Sequence, residues 1–155
     1  MTPEAGSLPG AAWTPMIAAA RLTGSAPGAT AAVQRALLDW APNGWRELPW
    51  RRTRDPWAVL VSELMLQQTQ AARVVPKWEA FLTRWPDPGS CAADSVAEVV
   101  KAWSGLGYNR RALHLHRCAQ VVVERHGGRL PEDLDGLLCL PGIGPYTARA
   151  VLAFA

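Results

Sequence analysis

The chain has 155 residues, 49% of them hydrophobic, with a mean hydropathy of −0.02 and a formal net charge of +3. That length suits one domain with a real core, and no apolar run approaches the length of a membrane span. The basic residues are 14 Arg against 2 Lys, a bias that suits planar contacts with phosphate and bases and that an Arg-rich genome produces equally well.

Residues 1–30 are rich in Ala, Gly, Pro, Ser and Thr without a sustained period, and read as a disordered leader or as extra sequence upstream of a start at Met16. They contain no basic segment followed by an apolar core, so no secretory signal is expected. Val33, Leu37, Leu38 and Trp40 predict a short amphipathic helix over 31–41 that stops near Pro42-Asn43-Gly44. Asp55-Pro56 supplies an N-cap and a first-turn proline for a second helix. A third covers Ala71 to Trp85, with Pro76 near its start or kinking it. Ser95-Val96-Ala97-Glu98 reads as a capping box opening a short helix that ends before Gly105. Arg110 to His126 is a long helix closed by Gly127-Gly128, Asp133 to Leu138 a short one, and Pro145 starts the last. Without strand alternation or hairpin turns, the class is all-α.

Cys91, Cys118 and Cys139 show no metal-ligand spacing, and each lies among Ala, Val or Leu. They read as buried, reduced thiols, which fits a cytoplasmic setting.

The stretch Ser62 to Gln70 places one carboxylate, Glu63, in a helix that is apolar almost all the way round. Trp57, Val59, Leu60, Val61, Leu64, Met65 and Leu66 leave no wide polar face, and a helix of that kind is normally buried. A buried carboxylate needs a partner, a cavity or a proton. The same pattern accommodates a solvated Glu at a helix edge.

Leu140-Pro141-Gly142-Ile143-Gly144, followed by Pro145-Tyr146-Thr147-Ala148, is a helix-hairpin-helix pattern. Its glycines permit a turn whose backbone amides, with those opening the next helix, can bind a phosphate. An ordinary interhelical Gly-Pro turn is the plainer alternative. Gly105-Leu106-Gly107-Tyr108-Asn109-Arg110-Arg111 is a second glycine turn, carrying an aromatic and two Arg suited to stacking beside phosphate contacts. A Tyr closing over a core edge fits equally. Leu48-Pro49-Trp50-Arg51-Arg52 adds another aromatic beside cations, although a lone Trp usually belongs to the core.

In order and spacing these segments resemble the endonuclease III superfamily, and most closely its MutY-type adenine DNA glycosylases, from about Val33 to Ala155. The resemblance implies a partial six-helix barrel ending in a helix-hairpin-helix at 133–155, within an incomplete glycosylase domain over 44–155. The 31–43 helix would normally pack on a cluster domain. The implied reaction is base excision of adenine mispaired with 8-oxoguanine or G, on double-stranded DNA, by a monomer. Carried over by position, Glu63 matches the catalytic acid that protonates the flipped adenine at N7. Gln68 and Tyr108 match residues that enter the duplex. Trp50, Arg51 and Leu66 match the base pocket, while Gly142, Ile143, Gly144 and Thr147 match the DNA-gripping hairpin. Tyr146 stands where bifunctional relatives carry a Schiff-base Lys, which implies a monofunctional enzyme.

The family's catalytic Asp, its four [4Fe–4S]-ligating Cys and its 8-oxoguanine-recognising domain would all lie past Ala155. The expectation is therefore a truncated glycosylase with little activity alone, no metal site, and poor cover for Val33, Leu37, Leu38, Trp40, Val151, Leu152 and Phe154. Two other readings compete: a non-catalytic DNA-binding hairpin module, and a lyase acting on oxidised pyrimidines.

Overall fold

The apolar segment Pro56–Leu66 (α1) is the most completely buried described helix in the computed structural model, which describes residues 31–36, 38–39 and 47–155. Eight of its eleven residues are buried, so the helix is covered on nearly every side. Asp55 caps it by accepting from the Trp57 amide at 3.1 Å, with Pro56 in the first turn. The one buried hydroxyl of α1, Ser62, donates to the Val59 carbonyl at 2.7 Å.

After α1 follow Ala71–Arg84 (α2), Pro88–Ala93 (α3), Val96–Ala102 (α4), Arg110–His126 (α5), Leu134–Leu138 (α6) and Pro145–Phe154 (α7). No strand occurs among the described residues. α1 packs against α2, α5 and α7, and α5 also carries α3 and α4. Two indole N–H groups tie α1 to its surroundings: Trp57 Nε1 donates to Trp85 O at 3.1 Å, and Trp78 Nε1 to Ala58 O at 2.9 Å. α2 continues through Pro76. α5 ends on Gly127 in the left-handed conformation, with the Gly128 amide bonded to Val122 O at 3.0 Å.

The chain divides into the units Met1–Arg46 and Glu47–Ala155. In the first, residues 31–36 and 38–39 are helical, with Val33 and Leu38 exposed. The expected leader at 1–30, the side chains of Leu37 and Trp40, and the stop at Pro42-Asn43-Gly44 lie outside the described residues.

Several expectations need correction. α3 was unforeseen, and it carries the true capping box: the Asp87 carboxylate accepts from the Ser90 amide at 2.8 Å while the Asp87 amide donates to Ser90 Oγ. Ser95 caps α4 on one side only. Its own amide donates to Asp94 Oδ1 at 2.7 Å, and Glu98 pairs with Arg84 at 2.8 Å instead of reaching back. Cys91 and Cys118 are buried but Cys139 is exposed, because it follows the single turn of α6 on the side away from Leu137 and Leu140. Val151 is buried by the contact of α7 with α1, whereas Leu152 and Phe154 are exposed.

Candidate active site and nucleic-acid interface

Glu63 projects from α1 between the fully buried Ser62 and Leu64 and is itself half-buried, a state between the two sequence alternatives. Partial withdrawal from water pushes its carboxyl pKa above the ordinary value. The Tyr146 phenol, from the first turn of α7, is near enough to act against that shift as a hydrogen-bond donor. Tyr146 is 74% exposed, so the pair sits at the protein's edge where a ligand can reach it.

Trp50 belongs to the wall of the core. It is 8% exposed and meets Trp78 edge-on, with ring centroids 5.9 Å apart. The 3-10 turn Pro49–Arg51 that carries it packs on α1, leaving Arg51 exposed at its end. Leu66, half-buried, packs against the same core at the last position of α1.

Beyond Leu66 the backbone makes a type II turn, closed by the Thr69 amide on Leu66 O at 3.1 Å. Gln67 has φ −56° and ψ 112°, and Gln68 has φ 56°, in a position that favours Gly or Asn. In the second glycine turn, Gly105 and Gly107 have φ 89° and 74°, and Tyr108 follows at 49°. Gln68 and Tyr108 are the two non-glycine residues with positive φ among those described, a conformation costing about 1–2 kcal/mol each. Both side chains are exposed. A groove of about 710 Å³ runs along one side of this pair, past Arg73, Lys101 and Asn109. Another of about 560 Å³ runs along the other, past Gln67, Arg110 and His114.

The paired Arg110-Arg111, read from sequence as phosphate-facing, split. Arg110 is exposed, while Arg111 turns inward and is 8% exposed. Desolvation lowers the Arg111 pKa, yet guanidinium remains charged. Its role was missed because three of its acceptors are backbone carbonyls more than forty residues away.

In the hairpin, Pro141-Gly142 forms the centre of a turn closed by the Ile143 amide on Leu140 O at 3.2 Å, with Gly142 at φ 78°. A Cβ at Gly142 would stand 2.5 Å from the Cβ of His114, so the hairpin lies directly on α5. Ile143 and Thr147 bury their side chains; what they can offer a ligand is backbone. Gly144, with open space at its Cα, occupies the N-cap of α7, and no side chain caps that turn. The Tyr146 and Thr147 amides thus lack intrahelical acceptors at a helix start that favours anions. His114, touching Gly142 and lining the smaller groove, connects the hairpin to Gln68 and Tyr108 in one face.

The thiols do not fit a [4Fe–4S] cluster. Burial pushes Cys91 and Cys118 up to about 12, which keeps them protonated within the core, and Cys139 lies apart on the surface. Among the described residues no group of three His, Cys, Asp or Glu could hold a metal ion. Nor is any described helix long and apolar enough to cross a membrane.

The central apolar helix thus bears one carboxyl with a raised pKa, beside a glycine hairpin whose amides can receive an anion. Residues 61–152 match the HhH-GPD superfamily of base excision DNA repair proteins, and the chain belongs to that family. It is 52% identical over 120 residues to the adenine DNA glycosylase of Mycolicibacterium smegmatis, covering 77% of this chain and 41% of that protein. Among solved structures, a thermostable thymine-DNA glycosylase superposes with a TM-score of 0.72 at 33% identity, over 77% of this chain and 55% of that one. A trapped endonuclease III–DNA covalent intermediate superposes with a TM-score of 0.67 at 23% identity, over 80% and 59%, which establishes the endonuclease III-like fold. The chain spans about two-fifths of the length of the mycobacterial adenine glycosylases it matches.

Proposed function

We propose that this chain carries the acid-bearing helix and the DNA-gripping hairpin of a monofunctional adenine DNA glycosylase acting on adenine mispaired with 8-oxoguanine. The observation that carries the reading is Glu63: one carboxyl, half-buried on an otherwise apolar helix, with its pKa raised by desolvation. A carboxyl kept protonated nearer to neutrality can deliver a proton to adenine N7, so that the base leaves neutral as the glycosidic bond breaks. The adenine must leave the stack first, since N7 and C1′ are not approachable together inside the duplex. In this reading the exposed Gln68 and Tyr108 enter the duplex near the 8-oxoguanine. The amides at Gly144 to Thr147 are placed to hold a backbone phosphate, which needs no side-chain charge.

A second reading has support from the thymine-DNA glycosylase superposition: release of thymine from DNA. The two differ in chemistry. Thymine offers no basic ring nitrogen equivalent to N7, so a Glu proton donor is matched to the purine. Single-turnover assays on A:8-oxoguanine and T:G duplexes separate them, using both the 155-residue chain and a chain continued to the length of its relatives. Adenine release with no thymine release is expected, and thymine release alone would overturn the reading. With Tyr146 in place of an amine nucleophile, borohydride should trap no covalent adduct.

A further inference from the structure

We propose that Arg111 is a positioning residue that locks the Gln68 and Tyr108 turns to one another, so that both exposed tips meet the duplex as one rigid wedge. The proposal rests on the reading that Gln68 and Tyr108 enter the duplex.

The geometry is specific. Arg111 Nη1 donates to Leu64 O at 2.7 Å, Met65 O at 3.1 Å and Gln67 O at 2.6 Å. Nη2 donates to Thr69 Oγ1 at 3.3 Å, Leu106 O at 3.2 Å and Gly107 O at 3.0 Å. One nitrogen therefore serves the C-terminal carbonyls of α1, which have no intrahelical donor and favour a cation. The other reaches across to the glycine turn. The planar fork holds both sets at a fixed separation, which the single ammonium of a Lys cannot do.

Two of these acceptors control the strained residues directly. Gln67 O and Gly107 O belong to the peptides immediately preceding Gln68 and Tyr108, so their orientation sets the φ of each residue. At Gln68 the alternative is clear. Flipping the Gln67–Gln68 peptide turns type II into type I, which a non-glycine residue prefers. That flip reverses the Gln67 carbonyl and removes it from Arg111. The same contact at Gly107 O opposes the corresponding rotation before Tyr108. The Tyr108 ring also lies 5.5 Å from the guanidinium carbon, and Trp103 lies 5.7 Å from it, so the exposed ring rests on the clamp.

The test is Arg111→Lys in the full 155-residue chain, read in two ways. Without DNA, amide hydrogen exchange over 66–69 and 105–108 should accelerate together, by about tenfold or more, with α3 and α6 unchanged. Acceleration in neither turn, or in one alone, would overturn the lock. With a duplex carrying 2-aminopurine beside an A:8-oxoguanine mispair, the parent should brighten on binding as the stack opens. Arg111→Lys should lose several-fold of that signal, to the level of Tyr108→Ala, and combining the two should lower it no further. A full signal from Arg111→Lys beside a lost one from Tyr108→Ala overturns the proposal. If Tyr108→Ala brightens like the parent, duplex entry is wrong and the wedge falls with it, even where exchange shows the turns to be locked. Should Arg111→Lys exchange globally, as an unfolded chain does, Thr69→Val removes one acceptor of the guanidinium, together with the hydroxyl's own donation to Gln67 O or Leu106 O, without disturbing the buried charge. It must then accelerate both turns in the same direction, and acceleration confined to one of them overturns the lock.

Discussion

Replacing Gly142 by Ala tests whether the hairpin is held as tightly as its geometry indicates. Two separate costs apply. At φ 78° the new residue sits in the left-handed region, costing about 1–2 kcal/mol. Its Cβ would also stand 2.5 Å from His114 Cβ and 2.9 Å from Cγ and Nδ1, so the hairpin or α5 must shift, and overpacking of this kind typically costs about 1–3 kcal/mol. Together they predict about 2–5 kcal/mol, which for a domain of roughly 100 residues lowers Tm by about 10 °C or more. Gly144, two residues on, is the internal control. Its φ of −96° suits any residue and its Cβ would meet nothing within 4 Å, so Gly144→Ala should cost no more than about 1 kcal/mol, the loss of a tolerable N-cap. His114→Ala should rescue Gly142→Ala only weakly, because the nearest clash is with His114 Cβ, which Ala retains. Thermal melts of the four chains, followed by far-ultraviolet circular dichroism, measure all of this. Equal losses for Gly142→Ala and Gly144→Ala, or full rescue by His114→Ala, would refute the packing argument.

Glu63→Gln should stabilise the fold at neutral pH. A carboxyl whose pKa is raised on folding costs no stability below its ordinary value of 4.5, and costs progressively more as pH rises through the raised pKa. The melting advantage of the Gln variant should therefore vanish near pH 4, and an advantage independent of pH would contradict the desolvation argument. Tyr146→Phe removes the donor that opposes the shift, so the pH above which adenine release declines should move upward; a downward move would exclude that hydrogen bond. Arg110→Ala should weaken duplex binding across all sequences and reduce the log–log salt slope by about 1, the signature of one phosphate contact. An unchanged slope would place Arg110 away from the backbone.

What the sequence revealed depended on how local the physics was. α1 was legible because Asp55-Pro56 starts it and its apolar residues occur all round. α5 ended where Gly127-Gly128 required, and Pro141-Gly142 announced the hairpin turn. α3 was missed because its six residues, including Pro88 and Gly89, hold no helical period, and its cap uses Ser90 where a Glu or Gln is the usual signal. The inward turn of Arg111 was invisible for a different reason. Its environment is created by carbonyls from α1 and from the glycine turn converging after folding, whereas Arg110 beside it has the same composition of neighbours in sequence. The left-handed Gln68 likewise carries no local mark, since the conformation is one its residue type disfavours. Ile143 and Thr147 were placed in the right motif, but only the fold shows that their side chains face inward.

The central claim is that Glu63 supplies the proton that releases adenine. It is tested most directly by single-turnover release from an A:8-oxoguanine duplex, comparing parent and Glu63→Gln in a chain continued to the length of its relatives. Duplex affinity is measured alongside. Gln keeps the shape of the side chain and cannot give up a proton, so release should fall by about 10²–10⁴-fold while affinity changes little. Release at the parent rate would show that Glu63 is a structural carboxylate and that the acid lies elsewhere.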